Sequence, residues 1–152
     1  RSIWALIDTG TRQPCNLMDI HDGEISCWVE SEKDCPIAKP GRVKMSKDVP
    51  LEAELVAKYS DIDVNGHVNS VKYIEHVLDL FPLDVYRNKY LSRFEIAYVA
   101  ECHAGDTLRF YKEQMSENEY EVRITKVVHE DETHISEVEC VRSSVRFIEK
   151  NK

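Results

Sequence analysis

The chain predicts an α+β fold in which an antiparallel sheet carries one long helix against one face. Three observations carry that reading. Val71, Ile74, Leu78 and Phe81 recur at three- and four-residue spacing with Lys72, Glu75, His76 and Asp79 between them, the period of an amphipathic helix. Four later stretches, Ser92 to Glu101, Thr107 to Met115, Glu119 to Val128 and His134 to Phe147, carry extended-chain signals. The turn formers Ala104-Gly105-Asp106, Ser116-Glu117-Asn118 and Glu130-Asp131-Glu132 separate them.

Taken in order, Ser2 to Asp8 reads as a strand and Cys15 to Ile20 as a short helical turn, while Ile25 to Val29 fits either state. Cys35-Pro36-Ile37-Ala38-Lys39-Pro40-Gly41 is rich in turn formers and Arg42 to Asp48 is polar. A linker over residues 35–50 is therefore expected to separate an N-terminal piece, residues 1–34, from a complete domain, residues 51–152. Leu55 to Tyr59 is strand-like, the helix follows, and Pro82 ends it because proline cannot donate to the preceding turn. A sheet of this kind leaves an edge strand open, and an open edge invites pairing. A two-fold homodimer joined through sheet edges is the expected outcome.

The most chemically suggestive stretch is Tyr59-Ser60-Asp61-Ile62-Asp63-Val64-Asn65-Gly66-His67-Val68-Asn69-Ser70-Val71-Lys72-Tyr73-Ile74. Asp63, Asn65 and His67 bring an acid, an amide and an imidazole to alternate positions of one turn, where Asn and Gly tolerate a left-handed backbone. Helix amides opening at Val68 would point at developing negative charge. A carbonyl under attack needs such surroundings. Asn65-Gly66 alone is an ordinary turn signal, and the weight lies in the whole stretch.

That stretch, followed by Ala97-Tyr98-Val99-Ala100-Glu101-Cys102, resembles the C-terminal half of the acyl-acyl-carrier-protein thioesterases, hotdog-fold enzymes of plant plastids and bacteria. Their Asp-x-Asn-x-His cluster with a Glu-Cys pair downstream maps onto Asp63, Asn65, His67, Glu101 and Cys102. The resemblance extends to Arg1-Ser2-Ile3-Trp4-Ala5-Leu6-Ile7-Asp8 and Thr11-Arg12-Gln13-Pro14, which look like the last strand of a preceding hotdog and the segment leaving it. It implies that residues 1–34 are the remnant of a first hotdog repeat and residues 51–152 a second, catalytic one. The chain opens on Arg1 without an initiator Met, which fits a fragment of a longer protein. No internal repeat is visible, as loss of a first copy would produce. The resemblance further implies hydrolysis of fatty acyl-acyl carrier protein without a cofactor or metal.

Composition bounds the alternatives. A net charge of −8 argues against nonspecific nucleic-acid binding. An acyl carrier protein is itself acidic, so docking would require a local basic patch, for which Arg87, Lys89 and Arg93, or Arg42, Lys44 and Lys47, are candidates. No apolar run approaches membrane-spanning length, so a cytoplasmic protein is expected. The five cysteines show no Cys-x-x-Cys spacing and the six histidines no His-x-x-x-His pair, so free thiols and no metal site are expected.

Two routes to hydrolysis remain open from the residues. Glu101 can act as general base on water, with Asn65 and His67 orienting water or carbonyl and Asp63 holding the cluster. Alternatively Cys102 attacks directly, activated by His67 and oriented by Asn65. Strand parity separates the two: Phe94, Ile96, Tyr98 and Ala100 share parity with Cys102, placing that thiol toward the helix, whereas Arg93, Glu95, Ala97 and Val99 share parity with Glu101. Glu101 is therefore favoured. An acyl-coenzyme A thioesterase and an acyl-binding hotdog without activity are the other functional readings.

Overall fold

Strand pairing organises the C-terminal part of the chain in a computed structural model that describes residues 1–11, 13–28, 35–41, 43–131 and 134–151. The elements are β1 (Leu51–Val56), α1 (Ser70–Asp79), α2 (Leu83–Asn88), β2 (Lys89–Tyr98), β3 (Thr107–Ser116), β4 (Glu119–His129) and β5 (Ile135–Glu149). The strands form one sheet in the order β1-β3-β4-β5-β2, antiparallel throughout. The expected succession of one strand, a helix and four strands is what is found, and the fold is α+β. The chain divides into two units, Arg1–Pro40 and Gly41–Lys152.

The second unit is built on alternation. Leu108 and Phe110 of β3, Val122 and Ile124 of β4, and Val141, Val145 and Phe147 of β5 are buried beneath Tyr73 and Val77 of α1 and Phe81 after it. Burying each large side chain is worth about 1.5 to 3 kcal/mol. Aromatic edges close the layer: Phe81 meets Phe147 at 5.1 Å and Tyr120 at 5.0 Å between ring centroids. The helix faces its core with Tyr73 and Val77 rather than with the whole predicted stripe, and Val71 stays exposed. Asn69 caps α1, its Oδ1 accepting from the Val71 amide at 2.9 Å. Pro82 does end this helix, but it also opens α2, a six-residue turn of helix that periodicity over so short a span cannot announce. The Tyr86 hydroxyl of α2 donates to the Leu78 carbonyl at 2.6 Å, tying the two helices together.

The opposite, helix-free face is charged. Arg109 bridges Glu54 and Glu137, and Glu137 also accepts from Tyr111 and Thr125. Gly41 and residues 43–46 lie along this face, with backbone amides of Gly41, Lys44 and Ser46 donating to Glu95, Glu121 and Glu113 at 2.8, 2.6 and 2.7 Å. Part of the expected linker is thus a strap held by carboxylates. A cavity of about 290 Å³ between strap and sheet is lined by Arg93, Glu95, Glu121 and Arg146, a charged wall unsuited to an acyl chain.

Two sequence expectations are corrected. Leu55 to Tyr59 is not a strand as such: β1 ends at Val56, and Tyr59–Asp61 is a 3₁₀ turn leading into the polar stretch. In the first unit, Ser2 to Asp8 is not a strand. Its only described pairing is the bridge between Ile7 and Pro14, supported by Asp8 N to Gln13 O at 2.9 Å and Cys15 N to Leu6 O at 2.8 Å. Asp8 Oδ1 accepts from the Gly10 and Thr11 amides, and those bonds turn the chain back before a longer ladder forms. Leu17–Asp19 supplies the expected short helical turn, and the ambiguous Ile25 segment lies in 3₁₀ turns reaching Trp28. Arg12, Val29 and Arg42 lie outside the described residues.

Candidate active site

The polar turn is shaped by its own side chains. Asp63 Oδ1 accepts from the Asn65 amide at 2.8 Å and the His67 amide at 3.3 Å, while Asp63 N donates to His67 O at 2.9 Å. Gly66 takes the left-handed conformation, φ +82°, that closes the turn. Ile62 and Val68 pair across its base. The result is a small looped hairpin with Asn65 exposed at its tip and His67 at its exit.

A second element meets it. After β2 the chain passes Cys140 with two successive amides, Val99 and Ala100, both donating to Cys140 O at 2.7 and 3.3 Å. It then runs beside the looped hairpin, where Val68 N donates to Cys102 O at 2.8 Å and His67 pairs with His103. This places His67 Nε2 3.6 Å from Glu101 Oε2. Both side chains are partly solvent-accessible. The imidazoles of His67 and His103 meet edge to face at 5.0 Å, and Lys126 Nζ of β4 donates to the Glu101 carbonyl at 2.8 Å.

Of the predicted residues, His67 and Glu101 are brought together. Asp63 uses its carboxylate on the turn's backbone, and Asn65 shares the turn without a described contact to either. Cys102 faces the other way, fully buried among core residues. Its thiol is lowered to about 7 by the neighbouring Cys140 thiol, against the effect of burial and with help from the Tyr73 hydroxyl. Cys140 is correspondingly pushed up by the same contact and by burial. Cys102 is thus buried and Glu101 partly accessible, but simple strand alternation is not the cause, because β2 stops at Tyr98 and the two amides on Cys140 O interrupt the alternation.

One expectation fails. The amide of Val68 is not free for an anion, because it donates to Cys102 O, and the helix starts two residues later at Ser70. Sequence reading also missed His103 and Lys126. His103 follows the Glu-Cys pair directly, which was an available signal, whereas Lys126 arrives from a strand far along the chain.

Three of the candidate docking cations, Arg87, Lys89 and Arg93, are engaged by carboxylates. Arg87 pairs with Asp84 at 2.8 Å, Lys89 with Glu149 at 2.9 Å, and Arg93 with Glu95.

Comparison with known proteins places these features in a family. The family model described as the acyl-ACP thioesterase C-terminal domain matches residues 44–141. A chloroplastic dodecanoyl-[acyl-carrier-protein] hydrolase of Cinnamomum camphora is 28% identical over 111 residues, covering 71% of this chain and 29% of that protein. The crystal structure of an acyl-ACP thioesterase from Bacteroides thetaiotaomicron superposes with a TM-score of 0.77 at 44% identity, over 93% of this chain and 53% of that one. A hexameric hotdog-fold thioesterase of Campylobacter jejuni shares the fold at 12% identity, with a TM-score of 0.54 over 66% of this chain and 83% of that one. The chain thus spans about half, or less, of the acyl-ACP thioesterases it matches. It has the hotdog fold and belongs to the acyl-ACP thioesterase family, in the region of that family's C-terminal domain.

Proposed function

We propose that this chain supplies the hydrolytic half of an enzyme that releases free fatty acid from acyl-acyl carrier protein. The observation that carries the reading is the accessible approach of His67 Nε2 to Glu101 Oε2 at 3.6 Å, beside a fully buried Cys102. Glu101 takes a proton from water while that water attacks the thioester carbonyl. His67 orients the water or the carbonyl, and Asn65 at the tip of the turn hydrogen-bonds whichever of the two His67 does not. Collapse of the tetrahedral intermediate breaks the C–S bond, and the proton held by Glu101 passes to the departing thiolate. Asp63 fixes the turn through backbone hydrogen bonds.

In this reading residues 1–34 are the end of a first hotdog and the parent is a cytoplasmic double hotdog. A copy of the chain alone would pair as a homodimer through β2. That strand lies at the sheet edge and leaves Tyr90, Leu91 and Tyr98 exposed.

The alternative is a covalent route, in which the Cys102 thiolate attacks the carbonyl, the carrier thiolate departs with a proton, and water then hydrolyses the acyl-enzyme. The two routes separate in the full-length protein. With fold checked by thermal melting, Glu101→Ala is expected to reduce turnover by about 10²-fold or more, and Cys102→Ser to leave it largely intact. An acyl adduct on Cys102 detected by mass spectrometry, together with an inactive Cys102→Ser, would reverse the assignment.

A further inference from the structure

The looped hairpin that carries Asp63, Asn65 and His67 is fastened at its base by one buried carboxylate. Asp61 is buried, and among the described residues it is the only buried side chain that carries a charge. Both of its oxygens are in use: Oδ2 accepts from the Lys58 amide at 2.8 Å, and Oδ1 lies 3.2 Å from His76 Nε2. Its backbone carbonyl accepts from the Asn69 amide at 2.8 Å. Asp61 therefore holds the chain immediately before the hairpin and, through Asn69, the chain immediately after it.

His76 supplies the anchor. It sits on α1, and its ring lies edge-on against Phe110 of β3 with centroids 6.2 Å apart at 75°. An imidazole so placed has its orientation set by the core, and it transmits that orientation to Asp61. A buried carboxylate left without its partner would cost far more than an exposed one, so the contact is not idle decoration of the surface.

We propose that His76 and Asp61 form a positioning pair that fixes the hairpin on α1 and so sets the approach of His67 to Glu101. This rests on the hydrolytic reading of His67 and Glu101. Neither His76 nor Asp61 touches substrate in it. Loss of the pair would leave the chemistry's groups present and their spacing loose, and a displacement of about 1 Å at a reacting centre can cost on the order of 10²-fold in rate.

The test uses the full-length protein with His76→Ala, His76→Gln and Asp61→Asn. In His76→Ala, hydrogen exchange at the Lys58 and Asn69 amides is expected to accelerate about tenfold while Val122 and Ile124 in β4 are unchanged. Turnover of acyl-acyl carrier protein is expected to fall about tenfold with KM within about twofold. His76→Gln, which retains a donor, is expected to restore both to near the parent level. If His76→Ala does not fold, Asp61→Asn carries the same local exchange signature. Exchange that rises evenly through the sheet, exchange that does not change, or a His76→Gln as damaged as His76→Ala would each overturn the proposal. An unsubstituted protein that hydrolyses no acyl thioester would instead overturn the functional reading, and the pair would then be judged by the exchange data alone.

Discussion

Gly66 stands at φ +82° in the polar turn, and no heavy atom beyond its own and its chain neighbours' lies within 4 Å of the place where a Cβ would be built. A substitution there therefore meets backbone strain and no steric clash. Gly66→Ala is expected to cost about 1 to 2 kcal/mol, the penalty of a left-handed L-residue, and Gly66→Asn less. The measurement is the denaturant midpoint at unchanged m-value, and equal losses for Ala and Asn would show that packing rather than conformation decides. The Asn65-Gly66 pair made this turn legible in the sequence. The role of Asp63 was legible only as a polar group near the site. That its carboxylate is spent on the Asn65 and His67 amides follows from hydrogen bonds within the folded turn.

At the scale of elements, the strap over the helix-free face has its own pH dependence. The Ser46 hydroxyl and amide hold the Glu113 carboxyl below its ordinary value of 4.5. A depressed carboxyl contributes stability that is present above its unfolded value and is lost as pH falls through the folded one. The Ser46 end of the strap is therefore expected to loosen as pH falls below 4.5. The Ser46 amide shift, followed by NMR titration, should show a midpoint under 4.5 that moves away in Glu113→Gln. A midpoint at or above 4.5 would contradict the contact. The later strands were legible because each alternates and ends at a turn former, and their bounds differ from expectation by a few residues at most. α2 and the 3₁₀ turn at Tyr59–Asp61 were not, since elements of six and three residues carry too little periodicity to register.

For the whole molecule, the net charge of −8 sets the field in which an acidic carrier protein must approach. Among the candidate docking cations, Arg87, Lys89 and Arg93 are paired with Asp84, Glu149 and Glu95, which dilutes their potential. Neutralising Arg87, Lys89 and Arg93 together is accordingly expected to slow association with acyl-acyl carrier protein only a few-fold at low salt, with the difference vanishing at about 0.5 M salt. A coenzyme A thioester should be affected less. Stopped-flow association rates across salt concentration would decide it, and equal losses on both substrates would remove the docking patch.

The sequence by itself determined the α+β order of elements, the polar turn, and the family to which its Asp-x-Asn-x-His and Glu-Cys residues pointed. Those are local properties: a turn needs its Asn-Gly, a strand its alternation, a helix its three- and four-residue spacing. Tertiary structure decided which groups meet. His67 and Glu101 are 34 positions apart, and only the pairing of residues 67 and 103 brings their side chains to 3.6 Å. Asp61 and His76 likewise become partners only when α1 packs its ring against Phe110, because contact across a fold depends on the backbone between two residues and not on their spacing along it.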